Sequence, residues 1–477
     1  MPRRTLFTTA AGVACLALAA RAEPNSPKPA APTAPAAAGT TPAAASTAPA
    51  VPFEKYSLDN GLTVLFHRDT SLPIVAVELW YRIGPVNEPP GRSGFAHLFE
   101  HLMFEGSRHV GREFDKLVES VGATNVNGTT SWDRTNYFET VPREHLELIL
   151  WIESDRMGFL LDAVDQERLD VQRDVVKNER RQSYENAPYG PSTLAMLDAM
   201  FPAGHPYHGA VIGSMEDLTA ATLDDVREFF GSYYAPSNAV LAVAGDFDTG
   251  AARALDEKNF GSLPKKAKAL VNRPTTTPLA KPIRLTVSEP VELARVTFGW
   301  ITPPAYTPVD PVLDVTMALL AGGRATLLYQ ELVVKEKLAS DVAAELDSNA
   351  LASMTSVAAT AASGKKPEDL ERAMDRVLDA LANKGPTAAE LERAKRRIRL
   401  SVLSDLELLN GHGGESGRAG MLLRFEHYLG DPGYLPKWLA AIDAVTANDV
   451  QRVVREQLKR DARVVVVTRP AEKKERP

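Results

Sequence analysis

The sequence has almost no cysteine and no long apolar run. Its only cysteine, Cys15, lies in the first 22 residues, so the rest of the chain can form no disulfide and has no thiol nucleophile or thiolate ligand. No later segment approaches the roughly 18 consecutive apolar residues of a membrane-spanning helix. The formal net charge is −7 and no stripe of Lys and Arg follows the chain, which argues against nucleic acid as a partner.

The N-terminus has the features of a secretory signal. Arg3-Arg4 is positively charged, Thr9–Ala20 is apolar, and Ala20-Arg21-Ala22 is a small-x-small cleavage site. We expect residues 1–22 to be a removed signal peptide, which predicts a periplasmic protein with no membrane insertion after cleavage. The alternatives are an uncleaved anchor, for which the apolar stretch is short, and lipidation of Cys15, which lacks the usual preceding leucine.

Composition divides the chain into segments. Residues 23–51 are nearly all Ala, Pro, Thr and Ser, a composition that cannot bury enough apolar surface to fold. The predicted segments are a signal peptide (1–22), a disordered Ala/Pro-rich linker (23–51), an N-terminal folded domain (52–263), an interdomain linker (264–282), a C-terminal folded domain (283–470) and a charged tail (471–477).

The closing segments of the two halves can be superposed. Thr222 is followed by a helical pattern and then, 18 residues on, by a strand beginning at Val240; Thr446 and Val464 repeat this spacing. The repeat predicts an α+β fold of two homologous α/β-sandwich domains, each a mostly antiparallel sheet packed by helices. Chance similarity of short segments is the alternative.

A histidine-glutamate motif lies on a predicted helix. In His97-Leu98-Phe99-Glu100-His101, the two histidines are four residues apart, so they point the same way, with Glu100 on the adjacent edge. The flanking residues are apolar on nearly every side, which predicts a buried helix. Burying three such groups without a partner costs several kcal/mol each, whereas a bound metal ion removes that cost.

A catalytic zinc site needs a third protein ligand and an open position. Glu179 shares a helical face with Leu169 and Val176, so its carboxylate is expected to point toward the core. Glu167, Asp174 and Glu185 remain alternative ligands, although surface ion pairs are the ordinary role of each.

These residues resemble the pitrilysin and mitochondrial processing peptidase family of zinc metallopeptidases, in its bacterial two-domain form. The inverted HxxEH motif at His97–His101 is followed, after 77 residues, by Glu179 in a segment similar to the family's second-ligand helix. The similarity extends over roughly Pro52–Arg469. Further matching stretches are His101–Ser107, Asn127–Ser131, Thr135–Tyr137, Gly204–Tyr207 and Tyr234–Asn238.

The resemblance implies a zinc-dependent endopeptidase that hydrolyses peptides or unstructured polypeptide segments. One zinc ion per chain would be held by His97, His101 and Glu179, and Glu100 would be the general base for water. In similar proteins the substrate adds as a strand to a sheet edge, which we place in Ala123–Tyr137, with Asn127 and Thr129 as substrate contacts. A simple turn at Asn127-Gly128 is the alternative there.

Two departures from the family pattern are present. Gln172 stands where the family often has a supporting glutamate, so this support is expected to be a hydrogen bond. In the C-terminal half, Val333 and Ser340 occupy the positions of a substrate-binding arginine and tyrosine. Since neither can do that work, we expect a homologous non-zinc subunit to supply both groups in a heterodimer.

Other assignments stay open. The two domains correspond to half of the clam-shell that the family forms, and a homodimer is the alternative to a heterodimer. In another alignment, Arg324 and Tyr329 replace Val333 and Ser340 as the positions that bind substrate. A non-catalytic peptide-binding or scaffold subunit is the rival function, and a processing enzyme with one protein substrate is a third. Gly411–Gly417 is rich in glycine and is expected to be a flexible break in a helix or a hinge.

Overall fold

The structure is a computed structural model and describes residues 48–112, 114–266, 274 and 276–472. The predicted signal peptide, most of the Ala/Pro-rich linker, part of the interdomain linker and most of the charged tail lie outside these residues. None of the helices in the described ranges is long and apolar enough to cross a membrane.

Two sheets form the framework, one in each half of the chain. The N-terminal sheet contains β1 (Glu54–Ser57), β2 (Thr63–Arg68), β3 (Ile74–Tyr81), β4 (Thr124–Thr130), β5 (Thr135–Pro142) and β6 (Ala239–Gly245). The C-terminal sheet contains β7 (Ile283–Glu289), β8 (Arg295–Thr302), β9 (Ala339–Asp347), β10 (Ser353–Ala361) and β11 (Val464–Pro470).

Helices cover these sheets. In the N-terminal half they are α1 (Phe95–Leu102), α2 (Phe114–Ser120), α3 (Leu146–Phe159), α4 (Gln166–Arg180), α5 (Gly190–Met200), α6 (Met215–Ala220), α7 (Leu223–Tyr233) and α8 (Thr249–Phe260). In the C-terminal half they are α9 (Asp310–Leu320), α10 (Pro367–Lys384), α11 (Ala388–Asp405), α12 (Gly417–Leu429), α13 (Leu435–Ala444) and α14 (Ala447–Gln457). A π-helical turn, Arg181–Glu185, directly follows α4, and a second, Tyr329–Lys335, lies between α9 and β9.

The two sheets share one topology. The order β2-β6-β3-β5-β4 in the first matches β7-β11-β8-β10-β9 in the second, and each has one parallel pair, β2 with β6 and β7 with β11. The helices before the closing strands also begin alike, because Thr222 and Thr446 each accept a hydrogen bond from the backbone N–H of an aspartate three residues on. The predicted duplicated α+β fold is confirmed.

One helix of each half packs on the sheet of the other half. Helix α5 contributes Met196 and Met200 to an apolar cluster with β8 and β11, and Met196 Sδ lies 3.0 Å from the Cβ position of Gly299. Helix α12 packs on β2, β3 and β6, where Leu422 and Trp80 belong to one buried apolar cluster. The halves are therefore interleaved rather than simply adjacent.

Folded structure begins earlier than residue 52. Val51, placed in the disordered linker by composition, is only 8% exposed and belongs to the apolar cluster between α12 and the N-terminal sheet. Val51 is thus packed in the structure, although composition places it at the end of the predicted linker. Composition cannot locate this boundary, because the cluster of Val51 combines the N-terminal sheet with helices from the other end of the chain.

Candidate metal centre

Helix α1 is fixed at its N-terminus before the motif begins. The carboxylate of Glu88 accepts hydrogen bonds from the backbone N–H groups of Gly94 (3.0 Å) and Ala96 (2.8 Å), which satisfies free donors of the first turn. Gly94 has φ 87°, and a Cβ there would lie 2.5 Å from the carbonyl oxygen of Ile212. A glycine at this position therefore allows α1 to start against its neighbour.

The motif side chains lie in the interior, as the apolar pattern of α1 predicts. His97 is 4% exposed and Glu100 is 7% exposed, while His101 is partly buried. The rings of His97 and His101 have their centroids 4.8 Å apart, so both project from one side of the helix. This side faces α4.

Glu179, in the last turn of α4, meets the two histidines. Its Oε2 lies 3.2 Å from Nε2 of His101 and 3.7 Å from Nε2 of His97. One ligand atom from each of the three residues lies within 4.8 Å of the others, and this is the only such group of three or more metal-binding side chains in the described residues. The three predicted ligands are thus brought together across two helices.

The alternative carboxylates face elsewhere. Glu167 forms an ion pair with Arg112 at 3.2 Å, and Glu185 forms one with Arg180 at 3.3 Å. Asp174 is exposed on α4. None of the three belongs to the cluster with His97 and His101.

The electrostatics of the cluster suit a cation. Burial lowers the pKa of His97, which favours the neutral imidazole that binds metals. Burial would also raise the pKa of Glu179, but the hydrogen bond from His101 and the nearby imidazoles keep that pKa below its usual value. Burial opposes the charged form of His101, yet hydrogen bonding to Glu179 and the charge of Glu100 raise its pKa.

The donor set fits zinc. Two imidazole nitrogens and one carboxylate oxygen converge, as in catalytic zinc sites with three protein ligands and an open position. Gln172 contributes to the raised pKa of His101, and its Nε2 donates to Oε1 of Glu105 at 2.5 Å. This amide therefore binds a carboxylate that the sequence motif does not include.

The side chain of Glu100, on α1, faces strand β4. Thr130 Oγ1 donates a hydrogen bond of 2.7 Å to Oε2 of Glu100. Gly128 faces the same way, and a Cβ at that position would come within 3.0 Å of Cγ of Glu100. A hydroxyl and a missing side chain, two residues apart on one face of a strand, thus shape the site of this carboxylate.

The predicted substrate segment, Ala123–Tyr137, contains β4, an edge strand of the N-terminal sheet, and the first residues of β5. Asn127 and Gly128 lie within β4 and pair with Phe138 and Tyr137, so the alternative of a simple turn is wrong. Thr129 points away from Glu100 and its hydroxyl bonds Oδ1 of Asn136 at 2.6 Å. Its carbonyl oxygen also accepts a hydrogen bond from Arg134 Nη1 at 3.1 Å, so the hydroxyl and the carbonyl of Thr129 both bind within the protein.

Val333 and Ser340, the positions of the family's arginine and tyrosine, offer no anion-binding pair. Val333 is partly buried against the C-terminal core, and Ser340 Oγ donates to the backbone carbonyl of Thr360 at 3.3 Å. Arg324 and Tyr329, the alternative pair, contact each other at 3.4 Å on the surface.

Sequence reasoning did not single out Glu88 or Thr130. Gly128 and Thr130 are two residues apart and so share one face of a strand, a pattern that could have indicated the role of Thr130. The contact of Glu88 with α1 has no comparable signal, because a loop carboxylate near a helix start is common.

We expect Thr130→Val to lower kcat for peptide hydrolysis about ten-fold with little change in KM, because the isosteric side chain removes a hydrogen bond to a charged group. Thr130→Ser should restore most of the rate, and zinc content measured by mass spectrometry should be unaffected. Unchanged kcat in the valine variant, or an equally slow serine variant, would contradict this role.

Comparisons with known proteins agree with the geometry. The family described as Insulinase (Peptidase family M16) matches residues 63–203, and the Peptidase M16 inactive domain matches residues 220–398. The zinc protease PqqE of Helicobacter pylori is 32% identical over 367 residues, covering 74% of this chain and 80% of that protein. The chain belongs to peptidase family M16.

Solved structures show the M16 fold as well. A protease from Helicobacter pylori superposes with a TM-score of 0.80 at 27% identity, covering 88% of this chain and 100% of that chain. The periplasmic protease PqqL from Escherichia coli superposes with a TM-score of 0.70 at 18% identity, covering 89% of this chain and 48% of that one. At that identity, the second comparison supports the fold alone.

Proposed function

We propose that this M16 protein is a zinc-dependent endopeptidase that hydrolyses peptides or unstructured polypeptide segments. The convergence of Nε2 of His97, Nε2 of His101 and a carboxylate oxygen of Glu179 within 4.8 Å carries the proposal. Such a set holds one zinc ion per chain with a position left for water. Zinc content of the purified protein and hydrolysis of a quenched fluorescent peptide test it directly.

The chain's own residues divide the chemistry. A zinc ion held by His97, His101 and Glu179 would supply a Lewis acid for the scissile carbonyl and for the attacking water. Glu100 would accept a proton from the attacking water and deliver it to the leaving amine, so one carboxylate serves as base and then as acid. Thr130 holds Oε2 of Glu100 in place, and the apolar surroundings of α1 keep bulk water away.

The substrate is proposed to bind as an extra strand on β4. This strand is the last of its sheet, and its main chain continues past Gly128 to Thr130, next to Glu100. Main-chain pairing selects for an extended conformation more than for particular side chains, so unstructured polypeptide segments are the suitable class of substrate. The peptide is proposed to run past Asn127 and Thr129, the contact positions that the resemblance suggests.

We propose a periplasmic location and a paired assembly. The N-terminal signal pattern supports the first. Val333 and Ser340 support the second, because neither can bind a substrate carbonyl or carboxylate as arginine and tyrosine do. A homologous chain without zinc would complete the site.

The pure chain alone is therefore expected to cleave peptides slowly, and adding a homologous chain that carries the arginine and tyrosine should raise kcat/KM about 100-fold, the effect of two charge-assisted contacts. Titration of one chain with the other, with activity and molar mass measured together, checks this. Full activity of the chain alone as a monomer or homodimer contradicts the heterodimer.

A non-catalytic binding subunit is the second candidate, because the C-terminal half matches a domain named as inactive. Binding of the test peptide without zinc and without hydrolysis, even with the companion chain, would favour it.

A further inference from the structure

A loop of the C-terminal half lies against the proposed substrate strand. Residues Asn410–Glu415, named here the glycine loop, follow α11 and precede α12, and they contact β4 and β5. The contacts reach Thr129, whose side chain points away from Glu100. The glycine loop therefore supports β4 from the face opposite the candidate metal centre.

The centre of the glycine loop fits closely against the sheet. The carbonyl oxygen of Gly413 accepts hydrogen bonds from Thr129 Oγ1 at 3.0 Å and from Asn136 Nδ2 at 3.3 Å. Gly414 has φ 63°, and a Cβ there would lie 2.1 Å from Nδ2 of Asn136. Only a residue without a side chain can approach β5 in this way.

An ion pair closes one end of the loop. Arg134, 3% exposed, lies over the ring of Trp80 at 4.9 Å, and its Nε donates to Oε1 of Glu415 at 2.9 Å. Its Nη1 also donates to the carbonyl oxygen of Thr129 at 3.1 Å. One guanidinium thus links the main chain of β4 to the C-terminal half.

Asn410, at the other end of the glycine loop, contacts the beginning of β4. Its Oδ1 accepts from Nδ2 of Asn125 at 3.1 Å and from Oγ1 of Thr140 at 2.8 Å. Asn125 has φ 53°, and the pairing of β4 with β5 shifts register between Thr124 and Asn127. The side chain of Asn410 therefore joins the irregular part of the edge strand to its neighbour.

We infer that Asn410 is a positioning residue for substrate, because it fixes the part of β4 along which an extended peptide must pair. This rests on the proposed function, in which β4 receives the substrate as an added strand. The metal-proximal part of β4, Gly128–Thr130, packs on Glu100, and it contacts the glycine loop through Gly413 rather than through Asn410. The effect of Asn410 is thus confined to peptides that reach the shifted segment.

Affinity for two peptides tests the inference in the zinc-loaded Glu100→Gln protein, which avoids turnover. One peptide is long enough to run along all of β4, and the other reaches only Gly128–Thr130. Asn410→Leu should weaken the long peptide about ten-fold in fluorescence anisotropy and leave the short one unchanged. Ser416→Ala, at the N-cap of α12 where the side chain makes no capping bond, is the control.

A second variant guards against misfolding. Asn125→Gly removes one of the two hydrogen bonds of Asn410, at an exposed residue whose positive φ suits glycine, and it should also weaken only the long peptide. Equal losses for both peptides, no loss for the long one, or no binding of either by the parent protein would overturn the inference. Absence of zinc and of hydrolysis in the unsubstituted protein would instead overturn the proposed function.

Discussion

Glu100→Gln is expected to lower kcat for peptide hydrolysis about 10³-fold while zinc stays bound. The substitution keeps the size and the hydrogen bond from Thr130, but an amide cannot accept the proton of the attacking water or return it to the leaving amine. Because Glu100 is not among the three clustered ligand residues, its amide should leave the metal in place. Steady-state kinetics and metal analysis of the same preparation measure both expectations.

A nearby carboxylate provides the control. Glu105→Gln removes a charge beside Gln172 without touching the proposed base, so kcat should fall by only a few-fold. If Glu100→Gln retained rates close to those of the unsubstituted protein, or if Glu105→Gln were equally damaging, another group would have to carry the proton. Loss of zinc from Glu100→Gln would instead mean that the residue supports the metal.

Glu179→Gln is expected to weaken zinc binding by more than the roughly 10–100-fold that the loss of an outer contact costs, and to remove hydrolysis with it. Glu179 supplies the only carboxylate of the ligand cluster, and the amide that replaces it is a poor ligand for zinc. Because a ligand that binds only the folded state stabilises it, added zinc should raise the Tm of the unsubstituted protein and not that of the variant.

Glu167→Gln, on the same helix but paired with Arg112 at the surface, is the matched control and should keep zinc, activity and the Tm response. Retention of stoichiometric zinc by Glu179→Gln would assign the third ligand to another residue. Equal loss in the two variants would indicate a general effect on α4 rather than on the metal centre.

Local patterns were enough to predict much of the candidate site. His97, Glu100 and His101 follow from helical spacing within one turn, and Glu179 follows from the buried face of α4, since both arguments need only the period of a helix. The repeated topology was likewise predictable, because Thr222 and Thr446 mark equivalent helix starts in the two halves.

Contacts between distant segments were not predictable in this way. Thr130 meets Glu100 only because β4 and α1 pack together, and Asn127-Gly128 belongs to a strand because β5 pairs with it. Gly411–Gly417 was expected to be a break or a hinge; a break between α11 and α12 is present, but its docking on β4 depends on side chains from the other half. Tertiary pairing decides such segments, and single-sequence periodicity carries no information about it.

The exchange of α5 and α12 between the sheets bears on why a half without a metal motif persists. Each half covers with its own helices only one side of its sheet and leaves the other side to a helix encoded in the opposite half. Neither duplicate can be deleted, or separately expressed, without uncovering a wide apolar surface. Selection on folding alone is therefore sufficient to retain the second copy, even where catalysis makes no demand on its side chains.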